Sequence, residues 1–258
     1  MRNRTWRGLF FNAHYTLAHA IDEVSDAFNN RSGQRPMDNL NIRLDRARAD
    51  FDIRHRFVAD FNYELPVFKG NKWLGGWTVT GILQKQSGVP FSIFDSTEDP
   101  NADGYFTDRA AFIGTHLDQA IIHETSPANG YFDPSQFVGM VTLATSPDFG
   151  SGGVAQIQAA CGPNNGVIIS ATRWWCDSRL GRNVLTGPRF FNMDFGLHKK
   201  FPVGEGKTLQ LQANAFNVFN HPNFGLPVTD LNNTAQVGKS ISTVGTPRVI
   251  QLAIRFDF

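Results

Sequence analysis

The chain closes on Ile250-Gln251-Leu252-Ala253-Ile254-Arg255-Phe256-Asp257-Phe258, and the alternation in that stretch decides the fold. Ile250, Leu252, Ile254, Phe256 and Phe258 take every second position, with Gln251, Ala253, Arg255 and Asp257 between them. A period of two marks a strand with one oily and one wet face. The pattern runs unbroken to the last residue, whereas a soluble domain more often trails off in loose polar residues. An ordinary edge strand of a soluble sheet is the plainer alternative.

Five further segments share the period. Leu9, Phe11, Ala13, Tyr15 and Leu17 alternate with Phe10, Asn12, His14, Thr16 and Ala18. His55, Phe57, Ala59, Phe61, Tyr63 and Leu65 alternate with Arg56, Val58, Asp60, Asn62 and Glu64. A third strand runs from near Trp73 to Gln86, with Trp77, Val79, Gly81 and Leu83 on one face. Phe191, Met193, Phe195 and Leu197 alternate with Asn192, Asp194, Gly196 and His198, and a turn at 202–206 leads to Leu209, Leu211, Ala213 and Ala215 facing away from Gln210, Gln212 and Asn214. The stretches 19–51 and 220–245 read as loops, and 88–187 as one long loop without sustained periodicity, in which short runs such as Val167–Ser170 pair locally.

Alternation alone does not separate a soluble sheet from a membrane barrel, but the connections do. With the strands running up and down in order, connections on one side are about five to seven residues and those on the other about 25 to 100. Outer-membrane barrels show that asymmetry, with short periplasmic turns and long extracellular loops. Aromatic residues near strand ends fit two interfacial girdles: Trp6, Tyr63, Phe68, Trp73, Phe201, Phe256 and Phe258 on the short-turn side, Tyr15, Phe91, Phe190 and Phe219 on the other. The expected fold is therefore all-β: an antiparallel transmembrane β-barrel segment of about six long strands with long extracellular loops. Six strands do not close a barrel, since the smallest use eight, and an open edge in lipid leaves backbone groups unsatisfied. Residues 1–258 are thus expected to be part of a larger barrel, and Met1, just before a strand, fits a truncated frame or an excised segment.

Composition agrees. The 258 residues are 41% hydrophobic and only 18% charged, with 23 Phe and 5 Trp. No run approaches the ~20 apolar residues of a spanning helix. A net charge of +1 supplies no bulk attraction to nucleic acid. Arg2, Arg4 and Arg7 ahead of Ala18-His19-Ala20 imitate a signal peptide, but Asn12, His14 and Thr16 interrupt the run at a strand's spacing.

Candidate chemistry is sparse. Asp99, Asn101 and Asp103, followed by Gly104, begin a calcium-loop pattern; its twelfth position is Ala110 rather than Glu, so the EF-hand form fails, leaving a looser structural calcium site aided by Asp108 or a plain Asx-rich turn. Cys161 and Cys176 share one loop, and an oxidising cell surface favours a disulfide over two free thiols, with about 3 kcal/mol of loop closure. Trp174-Trp175 stacks on a sugar-like ligand or packs the loop against itself. Gly204-Glu205-Gly206-Lys207-Thr208 lacks the first glycine and the helix of a phosphate loop, Gly150-Ser151-Gly152 is no nucleophile elbow, and no triad assembles, so no enzyme is expected. Inward polar residues on the strands, namely His14, Arg56, Asp60, Glu64, Asp194, His198, Arg255 and Asp257, are expected to line a wet lumen; for any one of them, a salt-bridged or solvated wall position with no substrate role is the better explanation.

Several phrases resemble a known family: Phe51-Asp52-Ile53-Arg54-His55-Arg56-Phe57, Tyr63-Glu64-Leu65-Pro66, Leu74-Gly75-Gly76-Trp77, Gln86-Ser87-Gly88-Val89-Pro90-Phe91, Gly181-Arg182-Asn183, and the run Phe216-Asn217-Val218-Phe219-Asn220-His221-Pro222-Asn223-Phe224-Gly225. Together they are similar to the TonB-dependent outer-membrane transporters, specifically the Oar-like group with an N-terminal carboxypeptidase-regulatory-like domain. The resemblance covers nearly all of the chain. It implies a barrel of about 22 strands with a plugged lumen, of which this chain supplies the last six and their extracellular loops. The plug, the TonB box and the remaining strands lie outside this sequence, so the segment is not expected to transport alone. Leu252, Ile254, Phe256 and Phe258 then resemble the C-terminal signal read by the barrel-insertion machinery. The partners implied are outer-membrane lipid, the rest of the barrel and its plug, the TonB complex, and a small-molecule, glycan or peptide ligand that the sequence does not name. The rivals are a soluble secreted β-sheet module binding glycan or protein through long loops, and a surface adhesin on the same barrel.

Overall fold

A computed structural model of the chain places a strand on each of the six alternating segments: β1 Leu9–Leu17, β2 His55–Glu64, β3 Trp77–Gln86, β4 Phe190–Gly204, β5 Lys207–Phe216 and β6 Val249–Asp257. The structure describes residues 7–25, 36, 42–68, 70–71, 73–97, 109–112, 115–122, 127–139, 166–170, 173–176, 180–204 and 206–258. The six strands form one antiparallel sheet in sequence order, β1 and β6 being its edges. Connections 65–76 and 205–206 lie at one end, and 18–54, 87–189 and 217–248 at the other. The 65–76 turn is longer than its Gly-Asn core predicts, because Asn71 Oδ1 accepts the amides of Trp73 and Leu74 and folds a second bend before Trp77.

Register keeps like with like. Leu9 faces Tyr63, Phe11 faces Phe61, Asn12 faces Asp60, and the rows continue through Tyr63–Val79, Val79–Leu197, Leu197–Ala213 and Ala213–Leu252. A one-residue slip would reverse every row, so the two-residue period specifies the pairing as well as the strands. The apolar rows are open: Leu252 and Ile254 are 78% and 75% exposed. A soluble module would bury such rows; here they form the outer surface of the sheet.

β4 runs further than the alternation to His198 suggested, as far as Gly204, because Lys199 and Lys200 disturb the polarity pattern without disturbing the ladder. A bulge between Pro202 and Gly204 and a left-handed Gly206 then reverse the chain. At the other end β5 pairs with β4 only from Phe195 onward. Asn223 continues the ladder, its side-chain amide accepting the Phe191 N–H at 2.7 Å and donating to the Phe191 carbonyl at 2.9 Å.

The buried hydrophobic cluster lies off the sheet, in the long-loop region. It comprises Phe91, Ile93, Ala110, Ala120, Tyr131, Phe132, Phe137, Leu180 and Leu185. Phe132 meets Phe137 edge-on at 5.6 Å, and Tyr131 Oη donates to the Thr186 carbonyl. Short pairs organise this region: Pro90–Phe91 with Leu185–Thr186, Ala111–Phe112 with Phe137–Val138, and the expected local hairpin, Gly166–Ser170 with Arg173–Cys176. The stretch 19–51 likewise carries a two-residue pair, Ile21–Asp22 with Ala47–Arg48. The aromatic girdles need two corrections. Phe91 is 4% exposed inside the loop core, and Phe190 pairs with Gln86 on the polar face. Neither meets the oily surface.

Candidate functional site

Three features of the chain bear on function: the polar face of the sheet, a charged clamp between the long loops, and a cationic cavity beside it. The polar face carries all eight residues picked out in the sequence. Asp60 accepts from Asn12 Nδ2 at 3.0 Å. Asp194 accepts from Asn192 Nδ2 and from the Asn217 amide, at 3.0 and 2.9 Å. His198 Nε2 is 3.1 Å from Asn214 Oδ1, and Arg255 Nε donates to Asp257 at 2.8 Å. His14, Arg56 and Glu64 are exposed, in register with Val58, Gln86 and Thr78. Five of the eight are therefore tied to neighbouring groups and three are solvated. The apolar residues Leu252, Ile254, Phe256 and Phe258 share the opposite face, with the rings of Phe256 and Phe258 stacked at 5.9 Å.

The clamp was not visible as such in the sequence. Arg182, buried, donates to the Asp45 carbonyl at 2.9 Å, to Ser25 Oγ at 3.1 Å, to Asp50 at 3.3 Å and to both the carbonyl and the carboxylate of Asp22. Arg109 donates to the Asp45 carboxylate and to the carbonyls of Leu44 and Leu180. Asn183, in the left-handed region at φ 56°, donates through Nδ2 to the Arg48 carbonyl and to Asp50. These contacts join connection 18–54 to connection 87–189. Buried guanidinium groups are tolerable because each has a carboxylate and carbonyl oxygens in reach. Gly181-Arg182-Asn183 had been noticed only as one of the family phrases; its structural role needed the partners from a loop more than a hundred residues away.

Beside the clamp is a cavity of about 570 Å³ lined by His19, Arg48, Arg54, His55, Tyr131 and Arg189, among others. Five of these side chains are basic or imidazole. The carboxylate at their edge, Asp52, is fully engaged: it accepts from the Ala20 amide at 2.9 Å and from Arg48 Nε at 2.9 Å, and lies 3.3 Å from His19. Burial alone would raise its pKa; the Ala20 amide, Arg48 and His19 together outweigh that and hold the carboxyl below the ordinary carboxylate range. Arg48 also donates to Thr186 Oγ1, tying the cavity wall to the loop core. Arg48, Arg54 and Arg189 make the cavity attractive to anions. Arg54 and His55 were noticed in the sequence only within a family phrase and a strand, and the grouping with His19, Arg48 and Arg189 was not legible because the five come from four separate segments.

Asp99, Asn101, Asp103 and Asp108 lie outside the described residues, as does Cys161; Cys176 is placed by its backbone alone, in the strand Arg173–Cys176. Among the described residues no group of three or more His, Cys, Asp or Glu side chains is arranged to hold a metal ion. No helix of the described residues is long and apolar enough to cross a membrane, which leaves crossing by strands untouched.

Residues 1–251 match the family described as the outer membrane beta barrel domain. No curated protein matches the chain. The match spans all but the last residues, and the sheet it covers has the meander order, the segregated connections and the exposed apolar rows that such a barrel requires. The chain belongs to the outer membrane beta barrel domain family and resides in the bacterial outer membrane.

Proposed function

We propose that this chain is the C-terminal part of a TonB-dependent, Oar-like uptake receptor, supplying lumen wall and extracellular mouth, and that it binds rather than transforms its ligand. One observation carries the reading: the phrases that resemble that group sit at the joints of this fold. Arg182 and Asn183 form the clamp; Asn217 and Asn223 bind the loop after β5 back to β4; Asp52 and Arg54 border the cationic cavity. The open edges of β1 and β6 support it further, since in lipid their unpaired ladder groups demand additional strands. In this reading the polar face lines the lumen against a plug, and the barrel-insertion machinery engages Leu252, Ile254, Phe256 and Phe258. The cavity of His19, Arg48, Arg54, His55 and Arg189 favours a ligand bearing acidic groups.

The test uses the whole receptor extracted from outer membranes. It should migrate in a heat-modifiable form and bind the purified periplasmic domain of TonB. A heat-modifiable barrel that ignores TonB would leave the outer-membrane family intact and overturn the uptake reading in favour of an adhesin. Recovery as a stable monomer in detergent-free buffer would favour the soluble module instead.

A further inference from the structure

The apolar face of the sheet has one feature that neither the family nor uptake explains. The outward series of β4 runs Phe191, Met193, Phe195, Leu197 and then Lys199 before resuming at Phe201. Register places Lys199 between Trp77 of β3 and Leu211 of β5, on the oily surface. Its side chain is 1% exposed, and Nζ has no hydrogen-bond partner among the described residues. It sits 4.8 Å from the ring centroid of Phe201 and 5.5 Å from that of Trp77, while Trp73 leans on Phe201 at 6.0 Å. The rings contribute cation–π attraction but accept no hydrogen bond from the ammonium.

No outward position of the six strands is Asp or Glu. The counter-charge must therefore come from outside the strands' own surface. Lys199 forms part of the wall of a groove of about 500 Å³ that continues over Leu197, Leu211, Ala213, Leu252 and Ile254. Ala213 is the small residue between the larger Leu211 and Leu252 of that lining, leaving room for an acyl chain beside it. Trp77 begins β3 directly after the 65–76 turn, so the ammonium lies toward the short-turn, periplasmic rim, where headgroups replace hydrocarbon and where aromatic residues gather.

We propose that this groove binds an anionic glycerophospholipid of the inner leaflet, the phosphate accepting from Lys199 Nζ and one acyl chain lying over Ala213. Two arguments select that occupant. A cation at the rim of the hydrocarbon is costly without a partner, and a phosphate diester is the anion present at that depth. A zwitterionic lipid brings its own ammonium to compete for the phosphate, so net-anionic phosphatidylglycerol is preferred over phosphatidylcholine. The inference rests on the membrane-facing assignment of the apolar rows, not on TonB dependence.

Native mass spectrometry of the receptor extracted from outer membranes, delipidated and then titrated with phosphatidylglycerol or phosphatidylcholine, tests it. Phosphatidylglycerol should be retained about tenfold better, the lower bound for a hydrogen bond to a charged group. Lys199→Gln should reduce retention to that of phosphatidylcholine, Lys199→Arg should preserve the preference, and Ala213→Leu should weaken both lipids by filling the acyl track. Heat-modifiable migration of each variant verifies a folded barrel. Equal retention of the two lipids by the wild type, or an undiminished preference in Lys199→Gln, overturns the proposal.

Discussion

Single side chains do the work of backbone at the top of this sheet. Asn217, at φ 48°, donates its amide to Asp194, its Nδ2 to the carbonyls of His221 and Thr246, and accepts from the His221 amide through Oδ1. Asparagine suits the left-handed region better than most residues and carries the donor and acceptor the loop lacks. Asn217→Ala should cost about 1–3 kcal/mol through stranded polar groups, read as a lower midpoint in urea unfolding from lipid. Gly81 answers a different need: a Cβ there would lie 2.3 Å from Phe61 Cε1, so the ring covers the glycine across the strands. Asp52 is one place where pH acts. Its folded pKa is lowered, so it contributes stability above the unfolded carboxyl value of about 3.9, lost as pH falls through the folded one. Loops 18–54 should loosen in acid, seen as faster amide exchange at Ala20, and Asp52→Asn should remove that dependence while weakening the loop at neutral pH.

Strands were the most legible elements because their signal is local. β3 ends at Gln86 as the alternation indicated but begins at Trp77 rather than near Trp73, because the turn before it takes a second bend, and β6 ends one residue before Phe258. A two-residue period states which side chains share a face without knowledge of the partner strand. It does not state which face meets lipid; the open apolar rows do. Leu252 lies near the middle of β6 on the outward face, beside Ala213. Leu252→Arg should therefore cost about 2–4 kcal/mol, whereas Gln251→Arg on the polar face should be nearly neutral, measured as folded fraction by heat-modifiable migration. The same alternation carried its own anomaly. Lys199 stands at an apolar position, a signal present in the sequence but masked because Lys200 follows it.

At the scale of the whole molecule, the sheet has no core of its own, and the packed interior belongs to the long connections. Phe132 and Tyr131 are fully buried there and Arg182 and Arg109 bolt the loops together. Barrel and loop cluster should therefore fail separately. Phe132→Ala should destabilise the loop cluster by about 3–5 kcal/mol, raising protease cleavage within 87–189, while heat-modifiable migration of the barrel persists. Loss of the folded barrel along with the loops would show that the two are one cooperative unit. The sequence by itself determined the six strands, their faces and their up-and-down order, because alternation and turn chemistry depend on neighbours a few residues away. Only the tertiary structure decided that the aperiodic connections hold the core, that Arg182 clamps two of them, and that Lys199 lies between Trp77 and Phe201. Those outcomes rest on contacts between segments far apart in the chain, for which no local period exists.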